Sequence, residues 1–219
     1  MLRSNARTIG TIIVATLSII ATDSFGRLYP IPPLEMRTHE PPDSSLADSD
    51  GNRYPIKKML NNNWWMTVNL KLNISDSYCY ENTQVNCEQY GRLYTWESAQ
   101  KGCALLGEGW RVPTINEWRQ LAESYGGFPV DSGESRKNAY EALLYGGRSE
   151  FNALLGGGRE ADGKFARLNA HGFYWTATED GSSTAWFINF GKGSQSLYRQ
   201  NEGEKSESFS VRCVNKMIN

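Results

Sequence analysis

Between residues 94 and 125 the apolar positions recur with the period of a helix. Trp96, Ala99 and Cys103 stand at i, i+3 and i+7, which puts them on one face of a helix predicted to start near Tyr94 and to turn that face toward the core. A second predicted helix opens at Thr114, where Thr114 and Glu117 make a capping box behind Pro113. Trp118, Leu121, Ala122 and Tyr125 continue it at i, i+3, i+4 and i+7 until Gly126-Gly127 stops it. A third, less regular helix is expected over residues 135–145, closed by Gly146-Gly147. Ahead of these, Asp50-Gly51-Asn52 reads as a turn into a strand at Arg53-Tyr54, and residues 64–72 as a second strand that completes an opening hairpin. Beyond residue 150 the period shortens to two, with turn signals at Asp162-Gly163, Asp180-Gly181 and Gly191-Lys192-Gly193. That pattern predicts an antiparallel meander. Trp186, Ile188 and Phe190 share one face of their strand, and Phe209, Val211 and Cys213 one face of the last.

The chain's start follows a different pattern. Arg3 and Arg7 precede an apolar run over residues 9–21, and Ser24-Phe25-Gly26 then supplies small residues at the positions a signal peptidase reads. A signal peptide over residues 1–26 is expected, because the run falls short of the roughly 20 residues a helix needs to cross a bilayer. No transmembrane segment then remains after cleavage. Five of the eight prolines (Pro30, Pro32, Pro33, Pro41 and Pro42) fall within residues 27–49, which read as a Pro-rich linker without a fold of its own. Residues 50–215 show no second linker and no internal repeat, so they are treated as one domain.

Composition narrows the function. With 23 Lys plus Arg against 24 Asp plus Glu, the 219-residue chain has no broad positive field for a polyanion, which argues against nucleic acid as a partner. Four cysteines in an exported chain are expected to form two disulfides, with three connectivities open. Cys103 lies on the apolar face of the first helix and Cys213 on that of the last strand, while Cys79 and Cys87 sit eight positions apart in a polar loop. The predicted pairs are Cys79 with Cys87 and Cys103 with Cys213. A zinc site is disfavoured because no C-x-x-C pair occurs and only His39 and His171 could supplement the thiols. Asp48, Asp50 and Asn52 resemble the start of a calcium loop, but the glycine comes two positions early and Met59 stands where an EF-hand needs an acid.

Five separated motifs carry a family resemblance. Gly91-Arg92-Leu93-Tyr94-Thr95-Trp96, Gly109-Trp110-Arg111-Val112-Pro113-Thr114 with Glu117-Trp118, Phe151-Asn152-Ala153-Leu154 with Gly157-Gly158-Arg159, Tyr174-Trp175-Thr176-Ala177-Thr178-Glu179, and Ser210-Val211-Arg212-Cys213-Val214 occur in order. Together they resemble the bacterial Fibrobacter succinogenes major paralogous domain over residues 50–215. The resemblance implies an α+β, C-type-lectin-like fold, shared with formylglycine-generating enzymes, in which two main helices flank a small twisted antiparallel sheet and disulfides staple the whole. It also implies a secreted, periplasmic or cell-surface protein of a bacterium.

The expected function is non-catalytic recognition of a glycan or a cell-surface protein. Seven Trp and eleven Tyr motivate this, since aromatic faces stack on sugar rings and anchor interfaces, although Trp96, Trp110, Trp118, Trp175 and Trp186 are read as core. Glu179, Asp180, Tyr198 and Arg199, near strand ends and late loops, are the candidate ligand-binding residues. A calcium-lectin sugar site is not expected, because its Glu-Pro-Asn or Gln-Pro-Asp and Trp-Asn-Asp triplets are missing. The alternatives are a structural cell-surface component, or an enzyme related to formylglycine-generating oxidases. No nucleophile elbow or zinc-protease helix occurs, so no catalytic residue, metal or cofactor is assigned.

Overall fold

A computed structural model describes residues 20–22, 28–30, 44–127 and 133–216. The chain divides into two compact units, Met1–Pro41 and Pro42–Asn219. In the first, β1 (Ile20–Thr22) pairs antiparallel with β2 (Leu28–Pro30). Most of the expected signal peptide lies outside the described residues. No helix among the described residues is long and apolar enough to cross a membrane.

The second unit opens with β3 (Ser45–Ala47), inside the stretch expected as linker. It pairs with β4 (Arg53–Lys58), which pairs in turn with β5 (Trp64–Met66). Then follow β6 (Ser77–Tyr78), α1 (Gln84–Tyr90), β7 (Leu93–Tyr94), α2 (Trp96–Ala104), α3 (Ile115–Glu123) and α4 (Gly133–Leu143). The last part holds β8 (Gly158–Arg159), β9 (Phe165–Ala166), β10 (His171–Glu179), β11 (Thr184–Gly191), β12 (Ser196–Glu204) and β13 (Val214–Asn215).

The fold is α+β and carries both predicted disulfides, Cys79–Cys87 and Cys103–Cys213. It is not the expected C-type-lectin-like arrangement of two helices about one small sheet. Among its described residues this unit has four α-helices and four separate sheets: β10-β11-β12, β13-β5-β4-β3, β6-β7 and β8-β9. The three-stranded sheet, which has the longest strands, is covered on both faces. Phe173, Trp175, Ala185 and Phe187 pack with Ala99 and Cys103 of α2, while Tyr174, Ile188, Phe190 and Leu197 pack with Trp118 and Leu121 of α3 and Tyr140 and Leu143 of α4. Burial on both faces explains why Phe173-Tyr174-Trp175 is a continuous apolar run instead of an alternation. Of the expected shared face of β11, Ile188 and Phe190 are in the core with α3 and α4, whereas Trp186 nearer the strand's start is half-buried outside it.

The expected final strand at Phe209, Val211 and Cys213 is the main reason the sheets stay separate. This segment meets a different neighbour at almost every residue. Phe209 exchanges backbone hydrogen bonds with Tyr94, Ser210 donates to Phe173 and accepts from Trp175, and the carbonyls of Val211 and Cys213 accept from Leu70 and Met66. Val214 then bonds Arg111 and pairs with Trp65. Its bonds are divided among several elements, so no single ladder forms. The second strand expected over residues 64–72 shortens to β5, since beyond it Thr67 donates to the Pro55 carbonyl, Leu70 to the Val211 carbonyl and Lys71 to the Tyr54 hydroxyl, three different partners.

Arg212 lies within that segment and is fully buried. Its Nε donates to Asn69 Oδ1 at 2.6 Å, Nη1 to the Phe151 and Met66 carbonyls at 2.6 and 3.2 Å, and Nη2 to the Asn152 carbonyl at 2.6 Å. The guanidinium carbon also sits 4.8 Å from the Phe151 ring centroid. Asn152 holds a left-handed φ of 56°, which belongs to the turn that aims these carbonyls inward. Burial lowers the Arg212 pKa to about 10, so the group still carries its charge at neutral pH.

Arg212→Ala is expected to lower the unfolding free energy by roughly 3 kcal/mol or more, because it orphans several buried acceptors. Urea denaturation of both proteins reads this directly. Opening Cys103–Cys213 by a paired Ala substitution is expected to cost about 4 to 5 kcal/mol in the chain-entropy picture of a long closed loop, and the same denaturation curves check it.

Candidate functional site

The four residues singled out from the sequence fall into separate places. Glu179 ends β10, and its carboxylate pairs with Lys205 Nζ at 2.6 Å; Lys205 also lies 4.6 Å over the Trp96 ring. Next to it Asp180 accepts from Asn201 Nδ2 at 2.9 Å. Tyr198 pairs with Asn189 across β11 and β12, whereas Glu179 pairs with Ala185, so the two are roughly 13 Å apart along β11. The Arg136 guanidinium lies 5.4 Å from the Tyr198 ring centroid. Hydrogen bonds from Ser194 and Ser196, with Arg136 nearby, hold the Tyr198 hydroxyl below its ordinary pKa. Arg199, one position on, faces the opposite side of the sheet by strand alternation. The structure therefore brings Glu179 and Asp180 together but gathers no single site from the four.

A concavity lies elsewhere. A groove of about 230 Å³ is lined by Asp50, Asn52, Lys71, Asn73, Gln84, Cys87, Glu88 and Arg92. Its first wall is the β3–β4 turn, which Asp48 organises by accepting from the Asp50 and Asn52 backbone N–H groups, each at 2.9 Å, and from the Tyr54 hydroxyl. Burial works against the Asp48 carboxylate, yet the Tyr54 and Asn52 bonds outweigh it and hold its pKa below the ordinary value. Burial and the same carboxylate push the Tyr54 hydroxyl up. Its oxygen accepts the Lys71 N–H at 3.1 Å, and Asp50 Oδ2 accepts the Asn73 N–H at 2.8 Å, so the turn fixes the second wall.

The third wall is α1, a helix where the sequence pattern predicts a polar loop around Cys79 and Cys87. Among its seven residues only Cys87 and Tyr90 are buried, so no apolar stripe marks it. Gly91 ends it at φ 81°, its N–H returning to the Cys87 carbonyl, and an added Cβ would come within 2.6 Å of Asn69 Cβ. Arg92 braces the floor. Its Nε and Nη2 donate to Ser77 Oγ and the Ser77 carbonyl at 2.9 and 2.8 Å, and Nη1 lies 3.6 Å from both Cys79 Sγ and Cys87 Sγ.

These groups leave a balanced surface. Asp50 and Glu88 oppose Lys71 and Arg92 in charge, and the Glu88 carboxylate and the Asn73 and Gln84 amides stay open to solvent. Lys71 Nζ spends one donor on the Glu88 carbonyl at 2.7 Å and keeps others. Sequence had marked the Asp50-Asn52 turn and the Cys79–Cys87 loop, but nothing in spacing connected Lys71, Gln84, Glu88 and Arg92. Among the described residues no group of three or more His, Cys, Asp or Glu is placed to hold a metal ion.

One carboxyl outside the groove is strongly perturbed. Glu207 and Glu160 flank the Arg159–Ser208 bridge. Burial, followed by the proximity of Glu160 and Glu204 against one opposing backbone bond, raises the Glu207 pKa from 4.5 to about 7.

The Fibrobacter succinogenes major domain matches residues 59–215, and the chain belongs to that family. No curated protein matches the chain.

The folded state keeps a proton on Glu207 that the unfolded chain has already released, so stability is expected to fall as pH rises from about 4.5 to about 7 and to level off above. The loss should be on the order of 1 kcal/mol after solvent screening. Thermal melts across this window should show it in the native protein and not in Glu207→Gln.

Proposed function

We propose that the domain is a non-catalytic recognition module, exported to the bacterial cell envelope, which holds a neutral polyhydroxylated ligand, a glycan residue, in the groove. The observation that carries this reading is the groove's pairing of balanced charge with open donors and acceptors. A hydroxyl both donates and accepts, so a sugar can use carboxylates, amides and an ammonium together, whereas an anion would meet Asp50 and Glu88 and a cation Lys71 and Arg92. At about 230 Å³ the space is below the roughly 300 Å³ at which drug-sized sites begin, which suits a single sugar ring projecting from a longer chain. Two disulfides support export, since such bonds persist in oxidising compartments, and the N-terminal sequence pattern agrees.

A glycan array with the native domain, Glu88→Ala and Asn73→Ala tests the reading. Specific retention is expected, weakened about tenfold or more in either variant with no change in melting temperature, because both side chains are exposed. Tyr198→Ala is expected to retain as the native domain does. Absence of glycan retention, or retention indifferent to the groove variants, overturns it; a stoichiometric envelope protein captured instead would favour a structural surface role.

A further inference from the structure

We propose that the Cys79–Cys87 disulfide is a thiol–disulfide exchange site, reduced by a dithiol protein donor, and that its reduction releases the groove wall formed by α1. This names a regulation of the proposed binding groove, and its importance for ligand rests on that reading; the chemistry stands on the geometry of the bridge alone.

The two disulfides have different surroundings. Cys103 and Cys213 are fully buried in the core between α2 and the closing segment. Cys79 and Cys87 are also largely buried, at 8% and 3% exposure, but Cys87 forms part of the lining of the solvent-open groove, which gives a donor thiolate an approach to this bridge that the other lacks. Arg92 Nη1 stands 3.6 Å from each sulfur of the Cys79–Cys87 bridge and is fixed there by the other guanidinium bonds to Ser77. A guanidinium in that position stabilises a thiolate, and a stabilised thiolate leaves faster in exchange.

The exchange balances as follows. A donor thiolate attacks Cys87 Sγ, the Cys79–Cys87 bond breaks, and Cys79 departs as a thiolate beside Arg92 while a mixed disulfide forms at Cys87. The donor's second thiol, deprotonated, attacks its own sulfur in that mixed disulfide and frees Cys87 as a thiolate. The two protons given up by the donor are available to the two cysteines, two electrons have passed to this chain, and the donor leaves as a disulfide.

The loop closed by the bridge is strained in a way that opening relieves. Glu81 and Asn82, neither a glycine, hold consecutive left-handed φ values of 52° and 54°. The far end of α1 is tied independently, by the Tyr90 hydroxyl to Asn169 Oδ1 at 2.8 Å and by Asn69 Nδ2 to the Tyr90 carbonyl at 2.7 Å. The near end has no side-chain cap from Thr83, and its Asn86 bond reaches only to Tyr80 within the same loop. Tyr80 stays packed on the Phe165 ring at 5.2 Å, so reduction loosens residues 81–87, including Gln84, while the rest of the domain keeps its core bridge.

The test uses the full chain, oxidised, with dithiothreitol as the dithiol, timed alkylation and peptide mapping. Cys79 and Cys87 are expected to become alkylated about tenfold faster than Cys103 and Cys213, with increased hydrogen exchange confined to residues 79–91. Arg92→Gln is expected to slow that reduction about tenfold and Arg92→Lys to restore most of it, a rescue that a purely structural role would not produce. Reduction of both bridges together, a global rise in exchange, or Arg92→Gln reducing as fast as the native chain would overturn the proposal. None of these readings uses a glycan, so they separate this proposal from failure of the ligand reading. If the native chain retains a glycan, the folded Cys79→Ser/Cys87→Ser variant is expected to lose that retention, and unchanged retention would overturn the regulatory role.

Discussion

The domain is organised around a positive charge that has left water without meeting a carboxylate. Arg212 exchanges its hydration shell for three main-chain carbonyls and one side-chain amide oxygen, contributed by residues 66–69 and 151–152. Desolvating a cation is costly, and such a site survives only when the acceptors are placed well and held rigidly. The positive φ at Asn152 and the packing of Phe151 against Trp65 and Trp118 provide that rigidity. The same aromatic cluster joins β5 to α3, so the geometry around one guanidinium is coupled to the packing of one whole side of the central sheet.

The Arg111–Glu117 pair performs a related task at the surface of the same framework. Glu117 is buried, yet the Arg111 fork at 2.6 and 2.7 Å and the Thr114 N–H keep its carboxylate ionised below the ordinary pKa range. A residue that caps a helix thereby also pins the loop entering it, and that loop is bonded through Arg111 to Val214. Covalent and hydrogen-bonded ties thus converge on residues 208–215 from both cores, with the Arg111–Glu117 pair steadying one of the partners. The groove lies on the periphery of this framework, where the turn and α1 are joined by fewer bonds, and it is there that local change is least expensive.

Helices α2 and α3 were legible because each has one apolar face and, for α3, a capping box that the structure contains in full. The disulfide pairing was legible for the same reason, burial of Cys103 and Cys213 following from position on a face. Helix α1 was not, since Val85 is 63% exposed and the remaining residues offer only Cys87 and Tyr90 to the interior. Alternation at Phe209, Val211 and Cys213 announced extended backbone but carried no information on partners, and it made Arg212 look outward when both sides of the segment are buried. The groove escaped notice because its lining comes from turn, loop and helix positions with no shared period. Glu179 and Tyr198 were both read as lying near strand ends and late loops, but their separation depends on a register that spacing alone does not fix.

The segment that satisfies so many partners is also the last part of the domain to be made. During synthesis β4, β5 and α2 emerge long before the end of the domain, yet Leu70, Tyr94 and Arg111 must wait for main-chain partners beyond residue 208. Contacts this distant in sequence delay completion of the fold and prolong exposure of unfinished edges. The nascent domain consequently carries unpaired main-chain groups at Leu70, Tyr94 and Arg111 until its closing residues arrive, and its two cores lock together only at that last step.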